Sequence, residues 1–141
     1  MRIILDANVL ISYLLAPGKP RTITTIVETC LYGDIDLVVP EELLIELRAS
    51  IAESPNLNQR ISTVQVDRLV GIMMTVAEKP PKLMDTFPQY TTDPDDDYIV
   101  AYAVVHDVDY LVTGDKHLLV LKQVKDANIV LPATFLGILD K

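Results

Sequence analysis

The chain has 141 residues, half of them hydrophobic, with 12 Lys and Arg against 20 Asp and Glu and a formal net charge of −8. That length fits one domain, residues 1–141, around a single core; the hydrophobic content excludes a disordered chain, and no apolar run is long enough to span a membrane. Nucleic-acid binders are ordinarily basic, so the acidic balance counts against tight non-specific binding, yet it leaves room for a nuclease whose metal ions neutralise acid locally.

Arg2–Leu5 reads as a first strand, and it reaches Asp6 too soon to be a signal peptide. Residues 6–8 open an apolar helix over 9–15, and 16–20 form a loop. A second helix is expected over 21–32, with Ile23, Ile26, Val27 and Cys30 on one stripe at helical spacing and Gly33 as its stop. The lone Cys30 cannot make an intrachain disulfide, so a reducing, cytoplasmic setting and a buried structural thiol are expected. Residues 36–39 read as a buried strand. Pro40 suits the first position of a helix running to Glu53, with Glu41 and Glu42 in its first turn. Polar residues 55–60 read as a loop, 63–78 as a fourth helix, and 82–92 as a short strand and loop. A fifth helix is expected from Pro94 or Asp95 to His106. A strand follows over 110–113, then a short helix over 116–122, a strand over 128–130 and a last helix over 132–139. Alternating strands and helices predict an α/β fold with a mainly parallel central sheet.

The chemistry-bearing feature is the run Asp93, Asp95, Asp96 and Asp97, broken only by Pro94. Acids at a helix start are favoured by the helix dipole and as caps, which alone would account for them. Two further acids change the balance. Asp6 directly follows the first strand and Asp115 follows the strand over 110–113. In open parallel sheets, ligands bind beyond the carboxyl ends of the strands. Mutual repulsion makes such a set costly unless a cation holds it, and oxygen ligands suit a hard divalent ion. Glu46 is a further candidate. An isolated helix glutamate is ordinarily solvated, but Glu46 borders the buried stripe of its helix and could point inward.

Four segments carry a resemblance: Asp6-Ala-Asn-Val-Leu10, Glu41-Glu-Leu-Leu-Ile-Glu46-Leu-Arg48, Asp93-Pro-Asp-Asp-Asp-Tyr-Ile-Val-Ala-Tyr-Ala103 and Leu111-Val-Thr-Gly-Asp115. In that order they resemble PIN-domain ribonucleases, and in particular bacterial toxin components of toxin–antitoxin systems. The resemblance implies a three-layer α/β/α sandwich that binds Mg²⁺ or Mn²⁺ and cuts RNA, with an antitoxin protein as a partner. It implies Asp6, Glu46, Asp96 and Asp115 as the catalytic and metal-binding acids. Asp97 stands as the alternative to Asp96, since spacing does not separate them. Asn8 and Thr113 match positions that orient the acids. Pro40 departs from the family pattern, where a Ser or Thr cap is common. The turn His106-Asp-Val-Asp109 also departs, having no glycine.

One metal, or two about 4 Å apart, would polarise the scissile phosphate and lower the pKa of an attacking water. No His/Cys cluster points to zinc, and His106 and His117 suit a helix end or the surface. Lys19, Arg21 and Lys116 are candidate contacts to RNA phosphates. Apolar helices permit a homodimer, and the acidic surface suits a basic protein partner. Two alternatives remain: a haloacid-dehalogenase-type phosphotransferase with an aspartyl nucleophile, and a catalytically inactive protein-binding domain. The first usually needs an acid where this chain has Asn8.

Overall fold

The computed structural model describes residues 1–15, 21–83, 88–91, 93 and 96–140. Lys19, Pro94 and Asp95, named above, lie outside the described residues, as do the loop over 16–20 and residues 84–87 and 92.

A five-stranded sheet organises the chain in the order β2-β1-β3-β5-β4. Strand β1 is Arg2–Leu5, β2 Asp36–Leu37, β3 Tyr110–Val112, β4 Gln123–Val124 and β5 Ala127–Val130. The pairs β1–β2, β1–β3 and β3–β5 are parallel, and only the edge pair β4–β5 is antiparallel. Consecutive Ile3, Ile4 and Leu5 in β1, and Leu111 and Val112 in β3, are all buried. Such continuous apolar runs belong to parallel strands covered on both faces. Helices flank the sheet in an α/β sandwich: α1 Ala7–Leu15, α2 Arg21–Tyr32, α3 Glu41–Glu53, α4 Pro55–Arg60, α5 Thr63–Val76, α6 Asp97–Val105, α7 Lys116–Leu119 and α8 Pro132–Leu139. None of these is long and apolar enough to cross a membrane. Cys30 is buried and free, and burial pushes its thiol up to about 12.

Several boundaries differ from the sequence reading for local reasons. Residues 55–60 form a helix, not a loop, because Ser54 caps Leu57 N–H and Pro55 supplies a preset first turn. Pro40 is the cap residue of α3 rather than its first helical position, and no side chain caps that end. Helix α5 begins on a reciprocal Ser62–Gln65 capping box. It stops at Val76, not 78, because Glu78 leaves it to pair with Val38 as an isolated bridge. That bridge continues the edge at which β2 proper ends after Leu37. Helix α6 begins at Asp97 with Asp96 as its cap residue, later than expected. Helix α7 is shorter than 116–122, and the unexpected β4 follows it.

Strand order places the site. Strands β1 and β3 are neighbours, with Leu5 opposite Val112 at their carboxyl ends. The residues that follow both strands therefore emerge side by side.

Candidate active site

Asp6 is fixed from several sides. Its N–H donates to Val112 O at 2.9 Å, tying it to β3. Its carbonyl accepts from Val9 and Leu10 N–H and so starts α1. The residue is only 6 % exposed. Oδ1 accepts from Ala7 N–H at 2.8 Å, while Oδ2 accepts from Thr113 Oγ1 at 2.7 Å and Asn8 Nδ2 at 3.2 Å. Burial raises its pKa and the Asp115 charge adds to this; the Thr113 and Ala7 donors oppose it.

Thr113, fully buried after β3, is a hub. Its hydroxyl donates to Asp6 and accepts from Asp115 N–H at 3.0 Å and Asn8 Nδ2 at 3.3 Å. Asn8 Oδ1 in turn accepts from Gly114 N–H at 3.2 Å. Thus Asn8 and Thr113 hold Asp6 to the turn that carries Asp115. Replacing Thr113 with Val keeps the shape and deletes the hydroxyl, leaving a buried carboxylate and a backbone N–H short of partners. We expect a loss of about 1–3 kcal/mol of stability, checked by urea denaturation. A variant as stable as wild type would show that the hub contributes nothing.

Asp115 caps α7, with Oδ1 accepting from His117 N–H at 2.9 Å. Asp96, half-buried at the start of α6, is hydrogen-bonded to Asp115. Two carboxyl groups can share a hydrogen bond only by keeping a proton. Asp96 is accordingly pushed up to about 7, chiefly by burial, then by the charge of and hydrogen bond to Asp115, and by the Asp93 and Asp6 charges.

Asp97 does something different. Its Oδ1 accepts from Tyr90 N–H at 2.9 Å and Thr91 N–H at 2.7 Å, so it pins the preceding segment to α6. Of the two alternatives that spacing left open, Asp96 is the one joined to Asp115.

Glu46 on α3 faces α6. Its Oε2 accepts from Tyr98 Oη at 3.0 Å. One helical turn back, Glu42 accepts from Tyr102 Oη at 2.9 Å. Burial, then Glu46, then Asp6 raise the Tyr98 phenol, so its hydroxyl stays a donor. Tyr98 therefore feels the charges of both Glu46 and Asp6. In the sequence Tyr98 is marked by its place in the fifth helix expected up to His106. The readable signal was the matched spacing of Glu42 and Glu46 with Tyr98 and Tyr102, each four apart.

Among the described residues, no three His, Cys, Asp or Glu side chains are gathered closely enough to hold one metal ion. The acids come together as the Asp96–Asp115 pair, with Asp6 in electrostatic reach of both. Arg21 is exposed at the start of α2, and Lys116 is exposed beside Asp115.

A PIN-domain family model matches residues 2–117. The chain belongs to the PIN-domain family. Two solved structures support this PIN domain at the level of fold. One is VapBC2 from Rickettsia felis bound to a DNA fragment from their promoter: 14 % identity, TM-score 0.57, covering 93 % of this chain and 98 % of that one. The other is the PIN-domain endonuclease Utp24: 18 % identity, TM-score 0.55, covering 92 % of this chain and 84 % of that one. A search of curated proteins gave no match. The chain thus has the PIN-domain nuclease fold, with Asp6, Asp96 and Asp115 at the carboxyl edge of the sheet.

Proposed function

We propose that this chain is a Mg²⁺- or Mn²⁺-dependent endoribonuclease, acting in the cytoplasm as the toxin of a toxin–antitoxin pair. The observation that carries the reading is the Asp96–Asp115 carboxyl pair beside the buried Asp6, a crowding of acids that a cation would relieve. The donor set is all oxygen and suits a hard ion. Asp6, Asp96 and Asp115, which are not gathered closely enough here to hold one ion, would have to close on it, with Glu46 as a further ligand or as the group that orients the attacking water. When bound, such an ion neutralises charge at the scissile phosphate and lowers the pKa of water.

The chain's own residues do the rest. Thr113 and Asn8 hold the Asp6 carboxylate in one orientation, and Tyr98 does the same for Glu46. The backbone N–H groups of Tyr90 and Thr91 fix Asp97, which sets the start of α6 and with it Asp96. Asn8 stands where a dehalogenase-type enzyme would carry its second acid, and here it serves as a donor to Asp6. Unpaired RNA is the expected substrate, because a flexible strand can bring a phosphate in line at a recessed site.

The test compares purified wild type with Asp115→Asn on single-stranded and looped RNA, in Mn²⁺ and in EDTA. We expect cleavage only by wild type and only with metal. Equal cutting in EDTA would defeat the reading. Hydrolysis of a small phosphate ester through an aspartyl intermediate would favour the phosphotransferase instead. A protein that neither binds Mn²⁺ nor cuts RNA would be a binding domain.

A further inference from the structure

We propose that the cleft between residues 89–91 and α7 holds the nucleotide adjacent to the scissile phosphate of a single-stranded RNA. The role depends on the ribonuclease reading above, but the cleft itself stands on separate observations.

The cleft has a volume of about 620 Å³ and is lined by Gln89, Tyr90, Lys116, His117, Val120 and Leu121, among others. Ligand sites typically span roughly 300–1,000 Å³, so the space suits a nucleotide. Both walls are fastened to the acidic site. Tyr90 and Thr91 N–H groups bind Asp97 on one side, and His117 N–H binds Asp115 on the other. A ligand seated here lies alongside the reacting acids.

The lining has the chemistry of nucleotide recognition. Tyr90 supplies an aromatic ring on which a base can stack. Lys116 supplies a phosphate-binding charge. Among the described residues the ion pairs are Arg2–Glu78 and Arg48–Asp67, so Lys116 is not already paired. In a chain of net charge −8, an unpaired cation beside the acidic site is a marked local exception. His117 adds an exposed imidazole, and Gln89 gives one amide hydrogen to Thr91 O while its carbonyl remains for a base edge. Val120 is 72 % exposed, an apolar surface at the rim that a base or sugar would cover.

The test measures binding of a short labelled single-stranded RNA by fluorescence anisotropy in EDTA, and KM and kcat in Mn²⁺. Tyr90→Ala should weaken binding about tenfold, within the roughly 1–3 kcal/mol that base stacking contributes, while Tyr90→Phe should bind like wild type. Lys116→Ala, a surface change that leaves folding intact, should reduce the salt slope of binding by about 0.7. Both weakened variants should raise KM with little change in kcat. Altered binding without any cleavage by wild type would support the cleft and defeat the ribonuclease reading. Metal-dependent cleavage with KM and affinity unchanged in all three variants would do the reverse and leave the cleft as a protein-facing surface. A wild type that binds no RNA in either condition overturns the proposal.

Discussion

Asp96→Asn is expected to raise the melting temperature of the metal-free protein above pH 7 and to abolish most of its gain from Mn²⁺. In the folded chain Asp96 sits near pKa 7 against an ordinary 3.8, through burial first and then its acidic neighbours. The fold therefore favours the protonated carboxyl. That contribution is present in full below about pH 4 and is lost as pH rises through about 7. Asparagine stays neutral throughout. The difference in melting temperature, variant minus wild type, should be near zero at pH 4 and grow to several degrees by pH 8. Mn²⁺ reverses the ranking. At about 100 times its Kd, a ligand of the native state contributes about 2.7 kcal/mol, or roughly 5–10 °C for a chain of this size. Wild type should show that rise and Asp96→Asn little of it. A pH-independent difference, or an equal Mn²⁺ gain in the variant, would remove Asp96 from the site.

Asp6→Asn should reduce RNA cleavage in Mn²⁺ by at least about 100-fold, the upper end of what losing a supporting contact alone costs a metal site. Its carboxylate is buried and accepts from three donors. The amide removes the negative charge and puts a donor where Oδ2 now meets Asn8 Nδ2 and Thr113 Oγ1. Thr113 can rotate its hydroxyl to accept, but the Asn8 amide is left facing another donor. Some loss of stability is therefore expected too, and circular dichroism at the assay temperature separates it from loss of chemistry. A folded Asp6→Asn within tenfold of wild-type activity would sink the assignment of Asp6.

Much of this architecture was legible because its signals are local. The apolar runs Ile3–Leu5 and Leu111–Val112 mark buried strands, and a parallel sheet puts the residues that follow them, Asp6 and Asp115, at one edge. What was hidden lacked a local signal. The β4–β5 hairpin turns through Lys125 at φ 53°, a left-handed position with no Gly or Asn to announce it. Asp107, in the turn where a glycine was missed, adopts the same left-handed φ of 53°, which Asp tolerates better than most residues. Helix α4 buries no side chain, so no periodicity marked it; only Ser54 and Pro55 did. What distinguishes Asp96 from Asp97 needed three dimensions, because the first meets Asp115 and the second the backbone of residues 90 and 91. The Tyr98–Glu46 bond joins residues 52 apart and left only the matched four-residue spacings of Glu42 with Glu46 and Tyr98 with Tyr102 as a trace.

That bond gives the protein its own optical reporter. The chain has six tyrosines and no tryptophan, so ultraviolet emission comes from phenols alone. A phenol hydrogen-bonded to a carboxylate loses its proton to it in the excited state and emits weakly. Tyr98 and Tyr102 are therefore expected to emit weakly while Glu46 and Glu42 hold them. Any event that draws Glu46 away from Tyr98 would brighten the protein without a label, and Tyr98→Phe would silence that signal.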